Sequence, residues 1–173
     1  MISDEEQQEL AAVESPETKD VQEIPPLSIP DYVHELVTRA RQAAGRLATL
    51  STVVKNNALI AMADALDEKQ ALLIEANEKD VEAFGAEPDK AAMADRLRLT
   101  EQRIADMSAG IREVAKLPDP LGDMPKMWTR PNGMQVGRVR VPIGVIGIIY
   151  ESRPNVTADS AALCLKSGNA CVL

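Results

Sequence analysis

Apolar residues in the first half of the chain recur every three or four positions, the period of an amphipathic helix. Val33, Leu36, Val37, Ala40, Ala44 and Leu47 mark one face of a helix that opens near Pro30, a residue suited to a first helical turn. Ser51 stands where a second helix needs an N-cap, and Leu59, Met62, Ala63 and Leu66 form its stripe. A third helical segment spans about 68–84 and ends near Gly85 and Pro88. Thr100 caps a fourth, with Ile104, Met107, Ile111 and Val114 inward, which finishes before Pro118-Asp119-Pro120. No fixed-period repeat is present, which disfavours a helical solenoid.

After the prolines the period changes. Pro131-Asn132-Gly133 is turn chemistry, and Met134–Val141 reads as a strand whose register swaps at Gly137. A bulge at Gly137 would account for the swap and would set Arg138 and Arg140 opposite Val139 and Val141. The run Val141–Tyr150 is apolar apart from Gly144 and Gly147, the pattern of a strand buried on both faces of a parallel sheet. It empties into Glu151-Ser152-Arg153-Pro154-Asn155. A helix from about Thr157 to Lys166, a Ser167-Gly168-Asn169 turn and a last β-branched run complete a βαβ unit. In open α/β sheets ligands bind at the carboxyl ends of the strands, so a site is expected at 150–157. The final run stops with a strand edge and apolar faces uncovered. The chain therefore reads as the truncated front part of a longer α/β enzyme, marginal in its own folding.

Composition adjusts this picture in two ways. Only four of the 173 residues are aromatic (Tyr32, Phe84, Trp128 and Tyr150), so the core must rest on aliphatic side chains. The net charge of −8 is concentrated in residues 1–23, where eight acids face the single base Lys19 and leave about −1 for the remaining 150 residues. Residues 1–28 read as a disordered acidic tail. The nearly neutral body carries no basic stripe for nucleic acid. An acidic opening argues against a targeting segment, no run is long enough for a membrane span, and the cytoplasm is the expected compartment. Cys164 and Cys171 make neither a metal pattern nor a disulfide scaffold and read as packing residues.

The remaining candidates have plain structural readings. His34 has no nucleophile near it in the pattern, and Asp64, Asp67 and Glu68 read as a solvated face. Gly144 and Gly147 lack the dinucleotide fingerprint spacing and fit close backbone packing in a strand. Lys166 sits in a last helical turn, where a cation complements the helix dipole.

From Ser51 to Leu173 the chain resembles γ-glutamyl phosphate reductase, or glutamate-5-semialdehyde dehydrogenase, a family of the aldehyde dehydrogenase superfamily. The likeness is carried by Leu117-Pro118-Asp119-Pro120, by Arg130-Pro131-Asn132-Gly133-Met134, and by the segment from Gly137 to Gly147. It continues through Ile149-Tyr150-Glu151-Ser152-Arg153-Pro154-Asn155-Val156-Thr157 and Ala161–Ala170. The acidic tail departs from the family's usual short start.

The resemblance implies an α/β fold: an N-terminal helical segment plus the first βαβ part of a Rossmann-like dinucleotide-binding domain. On it, residues 29–126 are the helical part of that domain, 127–141 a hairpin serving as an oligomerisation arm with Trp128 anchoring its start, and 142–173 the beginning of the cofactor sheet. It implies reduction of γ-glutamyl phosphate with NADPH in proline biosynthesis, in a homo-oligomer, without a metal. A cysteine thiolate attacks the acyl phosphate and phosphate leaves; hydride transfer to the thioester then releases the aldehyde. That cysteine lies outside the present residues, so the 173-residue chain is expected to be inactive alone. Tyr150, Glu151, Ser152, Arg153 and Pro154 would line the cofactor cleft. Two readings stand for Asn155: amide donor to the oxyanion, or cap of the following helix. Two stand for Arg153 as well: a fork for a cofactor or substrate phosphate, or an ion pair with Glu151 or Asp159.

Overall fold

The computed structural model describes residues 28–85 and 91–173. Apart from Ser28, the acidic tail expected at 1–28 lies outside the described residues. The chain divides at Tyr32–Val33. Ahead of that boundary only the first turn of α1 is described, where the Ser28 hydroxyl accepts from the Asp31 amide at 3.3 Å. The helices are α1 (Ile29–Leu47), α2 (Thr52–Glu68), α3 (Gln70–Gly85), α4 (Ala91–Leu97) and α5 (Glu101–Lys116). A hairpin of β1 (Lys126–Thr129) and β2 (Gln135–Arg138) follows, then β3 (Val145–Gly147), α6 (Pro154–Lys166) and β4 (Ala170–Val172). The fold is α/β and helix-rich, with two small sheets.

Both N-caps read from the sequence form. Ser51 accepts from the Val54 amide at 3.4 Å and Thr100 from the Arg103 amide at 3.2 Å, each satisfying one orphan donor of a helix start. The stripes of α2 and α5 then meet each other and α6. Leu59, Ala63, Ile111, Ala115 and Ala162 are buried together, with Met62, Leu66, Val114, Ala158 and Leu165 packed around them. Three alanines keep the helices close while Leu59 and Ile111 fill the space between them, which is how a core poor in aromatic rings closes.

Two lysines are sealed into this assembly. Lys55 donates to the Lys166 carbonyl at the end of α6 (3.3 Å) and pairs with Asp119. Lys166 donates to the Ala115 carbonyl at the end of α5 (2.9 Å) and to Asn56 (2.7 Å). Each ammonium thus meets a carbonyl that its helix leaves unbonded, at the negative end of the dipole. Asp119 is fixed in turn by the Thr52 hydroxyl (2.7 Å) and the Leu121 amide (3.0 Å). Burial pushes the Asp119 carboxyl up, but the Lys55, Leu121 and Thr52 hydrogen bonds with the Lys55 charge outweigh it and hold the group below its ordinary value. Burial lowers Lys166, opposed by Asp119 and reinforced by Lys55. Lys166 therefore does more than complement the dipole of its own helix: it ties α2, α5 and α6 together.

Four expectations are corrected. The apolar face of α1 is uncovered: Val33 and Val37 are exposed and only Ala44 is buried, because no described element packs along the helix. Gly137 forms no bulge. It pairs one-to-one with Met127 in an antiparallel ladder running from Lys126 with Arg138 to Thr129 with Gln135. The register swap has another origin: beyond Arg138 the chain leaves β1, and Arg140 exchanges backbone hydrogen bonds with the 122–123 segment instead. The run 141–150 is not buried on both faces. Only three of its residues form β3, whose one neighbour is the parallel strand β4, and Ile143 and Ile149 are exposed. Gly144 and Gly147 do not mark close packing, since a Cβ at either would meet nothing within 4 Å; Gly144 is needed for its φ of 117°.

The turn from α6 to β4 is a Schellman motif, with the Asn169 amide bonded to the Cys164 carbonyl (2.8 Å) and the Gly168 amide to Leu165 (3.1 Å). Gly168 adopts φ 70°, and a Cβ there would lie 2.6 Å from Leu121 Cδ1 and 3.2 Å from Pro142 Cγ. The Gly168→Ala variant is expected to lose about 1–3 kcal/mol of stability from its backbone alone, read from the urea midpoint. A loss near zero would show that both the backbone and Leu121 relax freely. Asn169, buried, accepts from the Gly144 amide at 2.8 Å and so locks the entry of β3 to this turn.

Candidate functional site

Beyond the carboxyl end of β3 the chain turns through Tyr150, Glu151, Ser152 and Arg153 into α6. Ser152 has φ 52°, the one non-glycine residue with positive φ among those described. Such backbone is held at a cost of about 1–3 kcal/mol and concentrates at binding loops. Pro154 fits the first helical position, with no N–H to leave unbonded, and α6 starts there rather than at Thr157. Arg153 thereby becomes the N-cap, with no side-chain cap bond.

This start bears on the capping reading of Asn155 alone. The residue lies inside the first turn, so it is not the cap; its amide donates to the Asp159 carboxylate at 3.3 Å. The ion pair foreseen for Arg153 is also absent: among the described residues its guanidinium reaches neither Glu151 nor Asp159. Tyr150 turns back to Thr157, its hydroxyl 2.5 Å from Oγ1.

Arg153, Pro154, Asn155 and Asp159 form one wall of a cleft of about 470 Å³. The other wall comes from the end of α4, the turn after it and the start of α5: Arg96, Arg98, Leu99, Arg103, Asp106 and Met107. The cleft thus takes in three of the residues expected for the site and leaves Tyr150, Glu151 and Ser152 off its wall.

The arginines of the second wall were missed in the sequence, where Asp95-Arg96-Leu97-Arg98-Leu99 passes for a solvated connection. Local pattern carries no signal that singles them out: Asp95 and Glu101 each stand three residues from Arg98, so the sequence offers it ordinary helical partners. Their turn is firmly built. Asn77, buried on α3, donates to the Leu97 carbonyl (2.9 Å) and accepts from the Leu99 amide (2.6 Å). Arg103 donates to the Asp95 and Arg98 carbonyls at 2.7 and 2.5 Å.

Cys164 is not an activated nucleophile: it is buried and its thiol is pushed up, first by burial and then by Cys171, whereas a nucleophile needs the opposite shift. The acids read as a solvated face are partly engaged, since Arg112 on α5 bridges Asp64 and Asp67 of α2, each at 2.7 Å. No described helix is long and apolar enough to cross a membrane.

No protein-family model matches the chain. It is 60% identical over 135 residues to γ-glutamyl phosphate reductase of Moorella thermoacetica, covering 78% of this chain and 32% of that protein. It is 53% identical over 147 residues to the reductase of Clostridium novyi, covering 85% and 35%. Its fold superposes on the crystal structure of the Thermotoga maritima reductase with a TM-score of 0.77 at 42% identity, over 80% of this chain and 34% of that one. The Saccharomyces cerevisiae reductase gives 0.75 at 33% identity, over 79% and 35%. The chain spans about a third of the length of the relatives it matches. In sequence and in fold, the chain is a relative of the γ-glutamyl phosphate reductases over that third.

Proposed function

We propose that the chain is the cofactor-side part of an NADPH-dependent reductase converting γ-glutamyl phosphate to glutamate-5-semialdehyde in proline biosynthesis. The observation that carries this reading is the shared cleft. It sets the Asn155 amide beside unpaired guanidinium groups, which suits an acyl phosphate with a carbonyl next to a dianion. Arg153 and Pro154 on the cleft wall, with Tyr150, Glu151 and Ser152 in the loop just outside it, serve the cofactor, Arg153 meeting a phosphate of cofactor or substrate. The exposed loop after β3 and an Arg153 without a carboxylate partner fit a phosphate-bearing dinucleotide. Bound NADPH would supply the hydride. The chain's own residues orient the acyl group, donate to its carbonyl oxygen through Asn155 and neutralise its phosphate.

On this reading residues 29–126 are the helical part of a Rossmann-like domain, 142–173 the start of its sheet, and 127–141 the arm of a cytoplasmic homo-oligomer. With Cys164 and Cys171 both committed to packing, the 173 residues alone do not turn over substrate. The test is a chimaera in which this chain replaces the matching segment of the Moorella thermoacetica reductase. It is expected to oxidise NADPH in dependence on γ-glutamyl phosphate, while the isolated chain does not. A folded but inactive chimaera would sink the functional reading, and turnover by the isolated chain would overturn its dependence on residues elsewhere.

A further inference from the structure

The cleft is lined on one side by the end of α4, the α4–α5 turn and the start of α5. Arg96 lies in the last turn of α4 and Arg98 in the turn after it, which Asn77 and Arg103 clamp, and Arg153 at the start of α6 lines the same cleft. Among the described residues none of these three guanidinium groups has a hydrogen-bond or ion-pair partner, as is also true of the exposed Arg39, Arg41, Arg46, Arg130 and Arg138; these three differ in lining one cleft. The carboxylates on the wall do not answer them. Asp106 accepts from Gln102 at 2.9 Å and Asp159 from Asn155 at 3.3 Å. Among the described residues, four arginines against two aspartates give the lining an excess of two positive charges, in a body whose net charge is close to zero. Bringing like charges into one concavity is unfavourable unless an anion joins them, and the cleft's volume falls within the range of small-molecule sites.

We propose that Arg96, Arg98 and Arg153 seat the phosphate group of a small-molecule phosphate ester or anhydride. Resting on the reading above, this group is the acyl phosphate of the substrate rather than a phosphate of the dinucleotide. Two features point this way. The excess charge of the lining matches one phosphate dianion, and planar guanidinium forks suit its tetrahedral oxygens. Asn155 is on the same wall as Arg153, so a phosphate held there keeps its adjoining carbonyl within reach of the amide. The α4–α5 turn is then a specificity element: it selects the phosphorylated acyl group over the free carboxylate, which brings one negative charge where the seat needs two.

The experiment is a titration of the 173-residue chain with inorganic phosphate, following the arginine Nε–H resonances at constant ionic strength maintained with chloride. Arg96, Arg98 and Arg153 are expected to shift together and saturate, while Arg112, held by two aspartates, stays still. In Arg98→Gln or Arg153→Gln the affinity falls about 10- to 100-fold, the loss expected for a charge-assisted hydrogen-bonding partner. These side chains are exposed, so the variants should melt with the wild type. Shifts that fail to saturate, or that move Arg112 equally, overturn the seat. The source of the phosphate is settled in the chimaera. A raised KM for γ-glutamyl phosphate with an unchanged KM for NADPH supports the assignment, and the reverse overturns it in favour of the cofactor. Should the chimaera be inactive while the chain binds phosphate through these arginines, the reductase reading falls and the seat stands. An active chimaera indifferent to Arg98→Gln has the opposite meaning.

Discussion

Asp119→Ala is expected to cost about 3–5 kcal/mol of folding free energy, the usual result of removing one partner from a buried ion pair. The reason lies in what stays behind. Lys55 is fully buried and keeps only the Lys166 carbonyl, while Lys166 sits close by with a charge of the same sign. The amide of Leu121 and the hydroxyl of Thr52 lose their acceptor as well. Asp119→Asn, which keeps shape and an acceptor oxygen, should fall between the two, and Asp119→Ala with Lys55→Met should recover much of the loss because no unpaired charge remains. Urea midpoints of the four proteins check this. Equal stability of wild type and Asp119→Ala would mean that water already reaches the pair.

The same carboxylate sets a pH dependence of known sign. Its folded pKa lies below the unfolded value of about 3.9, so its stabilisation is complete above that value. It is lost as pH falls through the folded pKa. Wild type should therefore shed stability on acidification more steeply than Asp119→Asn, in the window below about pH 4. Lys166 acts at the other end. With its pKa lowered, the unfolded chain binds more protons in the alkaline range, so this group makes stability rise with pH up to about 10.4.

In the chimaera, Asn155→Ala is expected to lower kcat about 10²- to 10³-fold, the effect of deleting one oxyanion donor. The KM for γ-glutamyl phosphate should change little, because the interaction strengthens only as charge develops on the carbonyl oxygen. Geometry makes this test clean. Asn155 is exposed, its one side-chain hydrogen bond goes to Asp159 at 3.3 Å, and it does not cap α6. Truncation should accordingly leave the melting temperature almost unmoved. A fall in stability with kcat intact would assign Asn155 to local packing and remove it from the chemistry.

The sequence by itself determined the elements whose cause is local. Ser51 and Thr100 cap their helices because a hydroxyl three residues ahead of an unbonded amide needs nothing from the rest of the fold. The stripes Leu59-Met62-Ala63-Leu66 and Ile104-Met107-Ile111-Val114 face inward because helical periodicity alone puts them on one side. The motif from Ile149 to Thr157 likewise pointed to the reductases that the chain matches. Tertiary structure decided what depends on residues far apart in the chain. Gly137 looked like a bulge until its pairing with Met127 showed that the register swap belongs to a change of partner after Arg138. The run at 141–150 looked buried because composition records hydrophobicity and not how many strands lie beside it. Lys55 and Lys166, 111 residues apart in sequence, became a buried cluster only when three helix ends met. The arginine wall of the cleft was hidden for the same reason: Arg96 and Arg98 share a cleft with Arg153 only once α6 packs on α5, and local pattern carries no information about that.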